Sequence, residues 1–222
     1  MKKVLSLCAL MLVMWVIPAY AFTPISSPDA SYLASTTYIN IASIWDGTNV
    51  PSITDGTLTV SFVDPGSGGA LPMKKYTAPN VTWATWSAAP DSQRGPGDTL
   101  PVLFSNGATA VRFNLSMPVS TFGFEAEPNP FAVYTLTALF YDASDNLLGS
   151  ITQNVDGNAG ARLFAASSST PISYVVFSGQ VDWAAGAFRY ALPQGGPVIP
   201  EPTTMALFGA GLLGFLPLRR RR

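Results

Sequence analysis

The chain has 222 residues, no histidine and a single cysteine, Cys8; imidazole bases, Ser-His-Asp triads, His-ligated zinc and disulfide staples are thereby excluded. Charged residues make up only 11% of it, but aromatics reach 12%, enough large apolar surface for a packed core rather than a solvated coil. The net charge of −1 hides an asymmetry. Six of the twelve basic residues lie at the two ends with one of the thirteen acidic ones, Glu201, so the stretch between holds six basic against twelve acidic residues. That leaves it about −6, which disfavours nucleic acid and anionic membrane surfaces as partners.

From the N-terminus, Lys2 and Lys3 precede an uncharged apolar run over residues 4–17, then Pro18 and Ala19-Tyr20-Ala21. A basic start, an apolar run of this length and a small-x-small pattern make residues 1–21 a signal peptide, with Ala19 and Ala21 framing the signal peptidase site. The Sec translocon is the expected exporter, and Phe22 the first mature residue. Cys8 leaves with the signal peptide, so the exported part must be held by its core alone.

Residues 22–192 are expected to form one all-β domain. Segments 38–44, 57–63, 81–86, 109–115, 119–127, 132–141, 147–154, 172–178 and 186–191 carry the β-branched and aromatic residues that suit a pleated surface. Asp46-Gly47, Asp55-Gly56, Asn106-Gly107 and Asp156-Gly157 are turn dipeptides, because Asn and Asp tolerate a positive φ and Gly carries no Cβ to clash. Stretches 64–71 and 90–101 read as longer loops. No helical periodicity emerges. About nine strands at this spacing predict an antiparallel, jelly-roll-like β-sandwich. Alternation sets the faces: Val111, Phe113 and Leu115 share one, and Leu136, Ala138 and Phe140 form the core side of 132–141.

After a linker over 193–199 come Pro200, Glu201 and Pro202, then an uncharged span 203–218 with Gly209, Gly211 and Gly214, then Arg219, Arg220, Arg221 and Arg222. Sixteen helical residues reach roughly 24 Å, a little less than the roughly 30 Å of a hydrocarbon core. The span is thus a short transmembrane helix, and the four arginines stop transfer and stay cytoplasmic. Proline lacks an N–H and fixes φ, so the Pro-Glu-Pro site is extended and open to an enzyme.

These three zones resemble the PEP-CTERM sorting signal of Gram-negative bacteria. The resemblance implies an exosortase that cuts near Pro200-Glu201-Pro202, transient anchoring in the inner membrane, and a mature protein in the cell envelope or outside the cell, by a logic like that of a cleaved lipid-anchor signal. Four further pieces, VSTFGFEAEPN, FYDASDNLLGS, PISYVVFSG and AFRYA, resemble the β-rich domain often found in such proteins, over residues 107–191. That likeness implies a sandwich fold and carries no functional residue.

Three constellations remain. Glu125 and Glu127 lie two apart on a strand and face one side; paired carboxylates serve glycosidases, but the plainer expectation is a solvated strand end before Pro128. Asp142, Asp145 and Asn146 cluster oxygens that could hold calcium, yet a turn accounts for them. Trp83 and Trp86 in VTWATWS are candidate glycan contacts; three apart on a strand they point to opposite faces, leaving at most one exposed. No catalytic or metal-ligating set emerges, and nothing asks for a cofactor. The expectation is a non-enzymatic envelope or matrix protein sorted by an exosortase and associated with biofilm exopolysaccharide; the alternative is an exported polysaccharide hydrolase acting through carboxylates such as Glu125 and Asp98.

Overall fold

A computed structural model describes residues 21–79, 82–86, 93 and 98–193, and every element named below lies in the compact unit Met1–Leu192. In chain order these are β1 (Phe22–Ile25), α1 (Ala30–Ser35), β2 (Thr37–Tyr38), β3 (Asn49–Val50), β4 (Ser52–Thr54), β5 (Thr59–Val63) and β6 (Met73–Ala78), followed by β7 (Leu100–Phe104), β8 (Ala110–Pro128), β9 (Val133–Tyr141), β10 (Leu147–Asp156), β11 (Arg162–Gly179) and β12 (Trp183–Ala191). All twelve strands belong to one antiparallel sheet that does not close on itself.

The long strands β8 and β11 organise it. Residues 121–126 of β8 pair with 162–167 of β11, and residues 110–114 pair with 174–178. Between these ladders the register jumps, and there lie Pro118 and Pro171, which have no N–H to give. The two strands therefore bend together and belong to two half-sheets. On one side of the bend β5 joins β8, β4 joins β5, β9 joins β11 and β10 joins β9. On the other, β1 joins β11 and β12 joins β8, followed outward by β7, β6 and β3, while β2 caps the end of β12.

The inner faces meet in an aromatic core. Phe113 sits at its centre, with the rings of Phe62, Phe124, Phe177, Trp183 and Phe188 all within 6.3 Å. A fully buried phenylalanine contributes up to about 3 kcal/mol of transfer free energy, so this cluster is the main stabilising feature of a domain without disulfides. The expected faces hold: Val111 and Phe113 are buried, and so are Leu136, Ala138 and Phe140.

Several sequence expectations are corrected. Segments 109–115 and 119–127 are one strand, because the bend at Pro118 interrupts pairing without ending the extended chain. Of the expected segment 38–44 only Tyr38, the end of β2, is strand; Asn40 Oδ1 accepts from the Ala42 N–H and turns the chain away. Residues 82–86 are a turn closed by the Trp86 N–H on the Trp83 carbonyl at 3.1 Å, not a strand. Helix α1, too short to show periodicity, is capped by Asp29, whose Oδ1 accepts from the Tyr32 N–H at 2.8 Å. Of the turn glycines, Gly47, Gly56 and Gly107 take positive φ. Gly157 does not; a Cβ there would lie 2.3 Å from the Pro130 carbonyl oxygen, so close backbone approach requires it.

Residues 1–20, all of the linker 193–199 but Pro193, and the tail 200–222 lie outside the described residues, and with them Ala19, Pro200, Glu201, Pro202, the proposed span 203–218 and the four terminal arginines. Among the described residues no helix is long and apolar enough to cross a membrane. Ala21 is described, and its N–H donates to Ser169 Oγ at 3.0 Å. Phe22 next to it packs its ring 5.3 Å from that of Phe140.

Candidate functional site

The largest departure from expectation concerns the two glutamates. Along β8, Phe124 and Ala126 point into the aromatic core, so by alternation Glu125 and Glu127 point to the outer face of their half-sheet. An outward carboxylate is ordinarily solvated. Here Glu125 is 0% exposed and Glu127 1%, because Thr85, Trp86 and Gln93, from between β6 and β7, lie against them. Trp86, fully buried, wedges beneath that cover among Ala78, Leu100, Val102 and Ala184.

The cover satisfies Glu125 at both oxygens. The Trp86 indole N–H donates to Oε2 at 3.2 Å and the Gln93 backbone N–H to Oε1. Gln93 is itself held: its Oε1 accepts from Arg189 Nε at 2.5 Å and its Nε2 donates to the Ala187 carbonyl at 3.4 Å. Arg189 also donates to the carbonyls of Leu33 and Thr36 at the end of α1. One arginine thus ties helix, sheet and cover together. Tyr32, anchored on the same face against Gly123, has its phenol pKa raised by burial, against the opposing pull of Arg189.

Glu127 is less completely served. Its Oε1 contacts Thr85 Oγ1, and that hydroxyl also reaches the Gly157 carbonyl at 2.8 Å. One hydroxyl proton cannot serve both acceptors. A protonated Glu127 removes the conflict by donating to Thr85 while Thr85 donates to Gly157. Burial pushes the carboxyl pKa up to about 7, opposed by the Thr85 hydroxyl and by the Arg162 charge. Glu127 Oε2 has no hydrogen-bond partner among the described residues.

Above Glu127 opens a cleft of about 310 Å³ whose walls include Tyr76, Trp83, Phe104, Asn129 and Phe131. Trp83 stands edge-on to Trp86 at 6.2 Å and tilted against Phe104 at 5.7 Å. Of the two candidate tryptophans, then, Trp83 reaches the cleft, whereas Trp86 is buried and spends its N–H on Glu125. Asp98 is exposed and lines a separate cleft of about 280 Å³ with Tyr38 and Arg189. In the third constellation, Asp142 Oδ1 accepts from the Ser144 and Asn146 N–H groups and Oδ2 from the Asn146 side chain, while Asp145 accepts from the Tyr174 hydroxyl at 2.9 Å. The turn engages the Asp142 oxygens, and Tyr174 of β11 engages Asp145.

Sequence reasoning missed the burial of Glu125 and Glu127, as well as Gln93, Arg189 and Thr85. The usable signal was compositional: VTWATWS places two large indoles beside Thr85, and indoles are largely buried on average, so the stretch had to lie against a neighbouring face.

Residues 198–222 match the PEP-CTERM protein-sorting motif; the chain carries that motif, through which exported proteins are sorted to the cell surface. No curated protein matches the chain. Among solved structures, the enzymatically active domain of tailspike protein 4 from bacteriophage CBA120 aligns over 76% of this chain and 21% of its own at 16% identity, with a TM-score of 0.28. An arabinose-bound GH51 α-L-arabinofuranosidase aligns over 76% of this chain and 26% of its own at 8% identity, with a TM-score of 0.28. The K3 cleaved adhesin domain of Lys-gingipain from Porphyromonas gingivalis aligns over 77% and 97% at 13% identity, with a TM-score of 0.23. The chain spans about a fifth of the first structure and a quarter of the second. At these scores the likenesses carry no functional argument.

Proposed function

We propose that this chain is a non-enzymatic surface protein with a jelly-roll-like sandwich domain, exported through the Sec translocon and sorted by an exosortase into the envelope or an exopolysaccharide-rich extracellular matrix. Signal peptidase removes residues 1–21. The span 203–218 holds the chain in the inner membrane while Arg219, Arg220, Arg221 and Arg222 stay in the cytoplasm. The exosortase then cuts at Pro200-Glu201-Pro202 and frees the domain. The observation that carries this reading is the sorting motif over residues 198–222. The negative, cysteine-free exported part is consistent with a life outside the cytoplasm.

The geometry of Glu125 weighs against a hydrolase. Both of its oxygens are engaged and no part of it meets solvent, so it cannot protonate a leaving group without removal of its cover. Asp98 lies in another cleft. Fractionating cells with and without a working exosortase tests the proposal. With it, the protein is expected at the surface or in the medium; without it, in the inner membrane. The same distribution in both strains, or turnover of a polysaccharide by the purified full chain, would overturn it.

A further inference from the structure

We propose that the cleft above Glu127 is a saccharide-binding subsite, in which a pyranose stacks on the Trp83 ring and donates a hydroxyl hydrogen bond to Glu127 Oε2. The inference rests on the surface-protein reading above and names the kind of ligand that the domain takes. Two independent features of the cleft point to it.

The first is an acceptor without a donor. A buried carboxylate oxygen with no hydrogen-bond partner carries the full desolvation penalty of its lone pairs, and Glu127 Oε2 is such an atom among the described residues. Whatever enters the cleft and supplies a donor relieves that penalty. The second is the character of the walls. Aromatic rings flank the opening, with Phe131 66% exposed on its rim, while Asn129 and Thr82 add short polar groups. A ligand with an apolar face and hydrogen-bonding edges fits such a wall. A sugar ring has both: axial C–H groups on its face and hydroxyls around its edge. A wholly apolar ligand would leave Glu127 unserved.

The backbone supports the same assignment. Trp83 has φ of 56°, a left-handed conformation that a bulky residue rarely adopts. The turn over 82–86 accepts that strain, and the Trp83 indole, edge-on to Trp86, forms part of the cleft wall. A volume of about 310 Å³ accommodates one or two sugar rings, within the size range of small-ligand sites.

The test is binding of the purified full chain, in a detergent without a sugar headgroup, to a panel of neutral and acidic exopolysaccharides and oligosaccharides. Wild type is compared with Trp83→Ala, Phe131→Ala, Glu127→Ala, which removes the acceptor, and Trp45→Ala. Trp45 is 85% exposed and does not line this cleft, so it reports on non-specific aromatic adhesion. The expected result is binding to at least one neutral saccharide, weakened about tenfold or more, or roughly 1.4 kcal/mol, by Trp83→Ala and Glu127→Ala, weakened less by Phe131→Ala and unchanged by Trp45→Ala. Phe131 is exposed enough for its variant to fold, so loss of binding there stands even if Trp83→Ala unfolds. Saccharide binding that survives all three cleft substitutions, or that only Trp45→Ala removes, overturns the cleft assignment and leaves polysaccharide association standing. Silence of the wild type across the whole panel overturns both, as does capture of peptides in place of saccharides.

Discussion

Replacing Glu127 with glutamine should abolish a pH dependence of stability that the wild type shows near neutrality. In the folded chain burial raises this carboxyl to a pKa of about 7; in the unfolded chain it returns to its ordinary value of 4.5. Between those limits the native state binds more protons than the unfolded one, so stability falls as pH rises through the window. The integral is about 3 kcal/mol, a large share of the roughly 5–15 kcal/mol that holds a domain together. For a domain of this length that is roughly 6–12 °C in melting temperature. The window is clean because the chain has no histidine. The surface carboxylates act elsewhere. Backbone hydrogen bonds from Ser67 and Gly66 lower the pKa of Asp64, and hydrogen bonds from Asn146 lower that of Asp142, so their support is lost only as pH falls below the carboxylate range. Glutamine preserves the shape of the side chain and can donate its amide N–H to Thr85 as the protonated acid does, so the variant should fold. The assay is thermal or urea unfolding of both proteins from pH 4.5 to 8. Wild type should lose stability along that range, the variant should stay nearly flat, and the variant should be the more stable at pH 8. Parallel profiles for the two proteins would refute the reasoning, and Glu127 would then be an ordinary solvated acid.

Other outcomes follow from the packing and the turns. Phe140→Ala removes a fully buried ring that packs on Phe22 and should cost about 3–5 kcal/mol; a melting point within a degree of wild type would refute the face assigned to β9. EDTA should leave the melting temperature unchanged, because the Asp142 oxygens are engaged within their own turn; a downward shift would establish a stabilising cation.

The parts of this fold that could be read from sequence are those where alternation is regular and the turn chemistry explicit. β9 and β10 follow the pattern closely, and Asn106-Gly107 marks its turn by φ of 53° and 93°. What could not be read has physical causes. β6 is flanked by Pro72 and Pro79 and β7 contains Pro101, residues whose local signal is that of a loop. Strand β8 reads as two because Pro118 marks a break in pairing, and pairing is not visible along a single chain. Glu125 and Glu127 read as solvated because burial of an outward strand face depends on a distant segment, here one with no periodicity of its own. The candidate site was legible only in its parts: Trp83 and the two glutamates were each singled out, but their convergence depends on residues some forty positions apart, as in the hydrogen bond from Trp86 to Glu125 with a separation of 39.

The account depends most on the fate of the C-terminus. Intact-mass analysis of the protein recovered from surface and inner-membrane fractions of exosortase-competent cells addresses it directly. The account predicts a surface or extracellular species that ends at or near Pro200-Glu201-Pro202 and lacks Arg219, Arg220, Arg221 and Arg222. A mature product that stays in the inner membrane with all four arginines attached would contradict it.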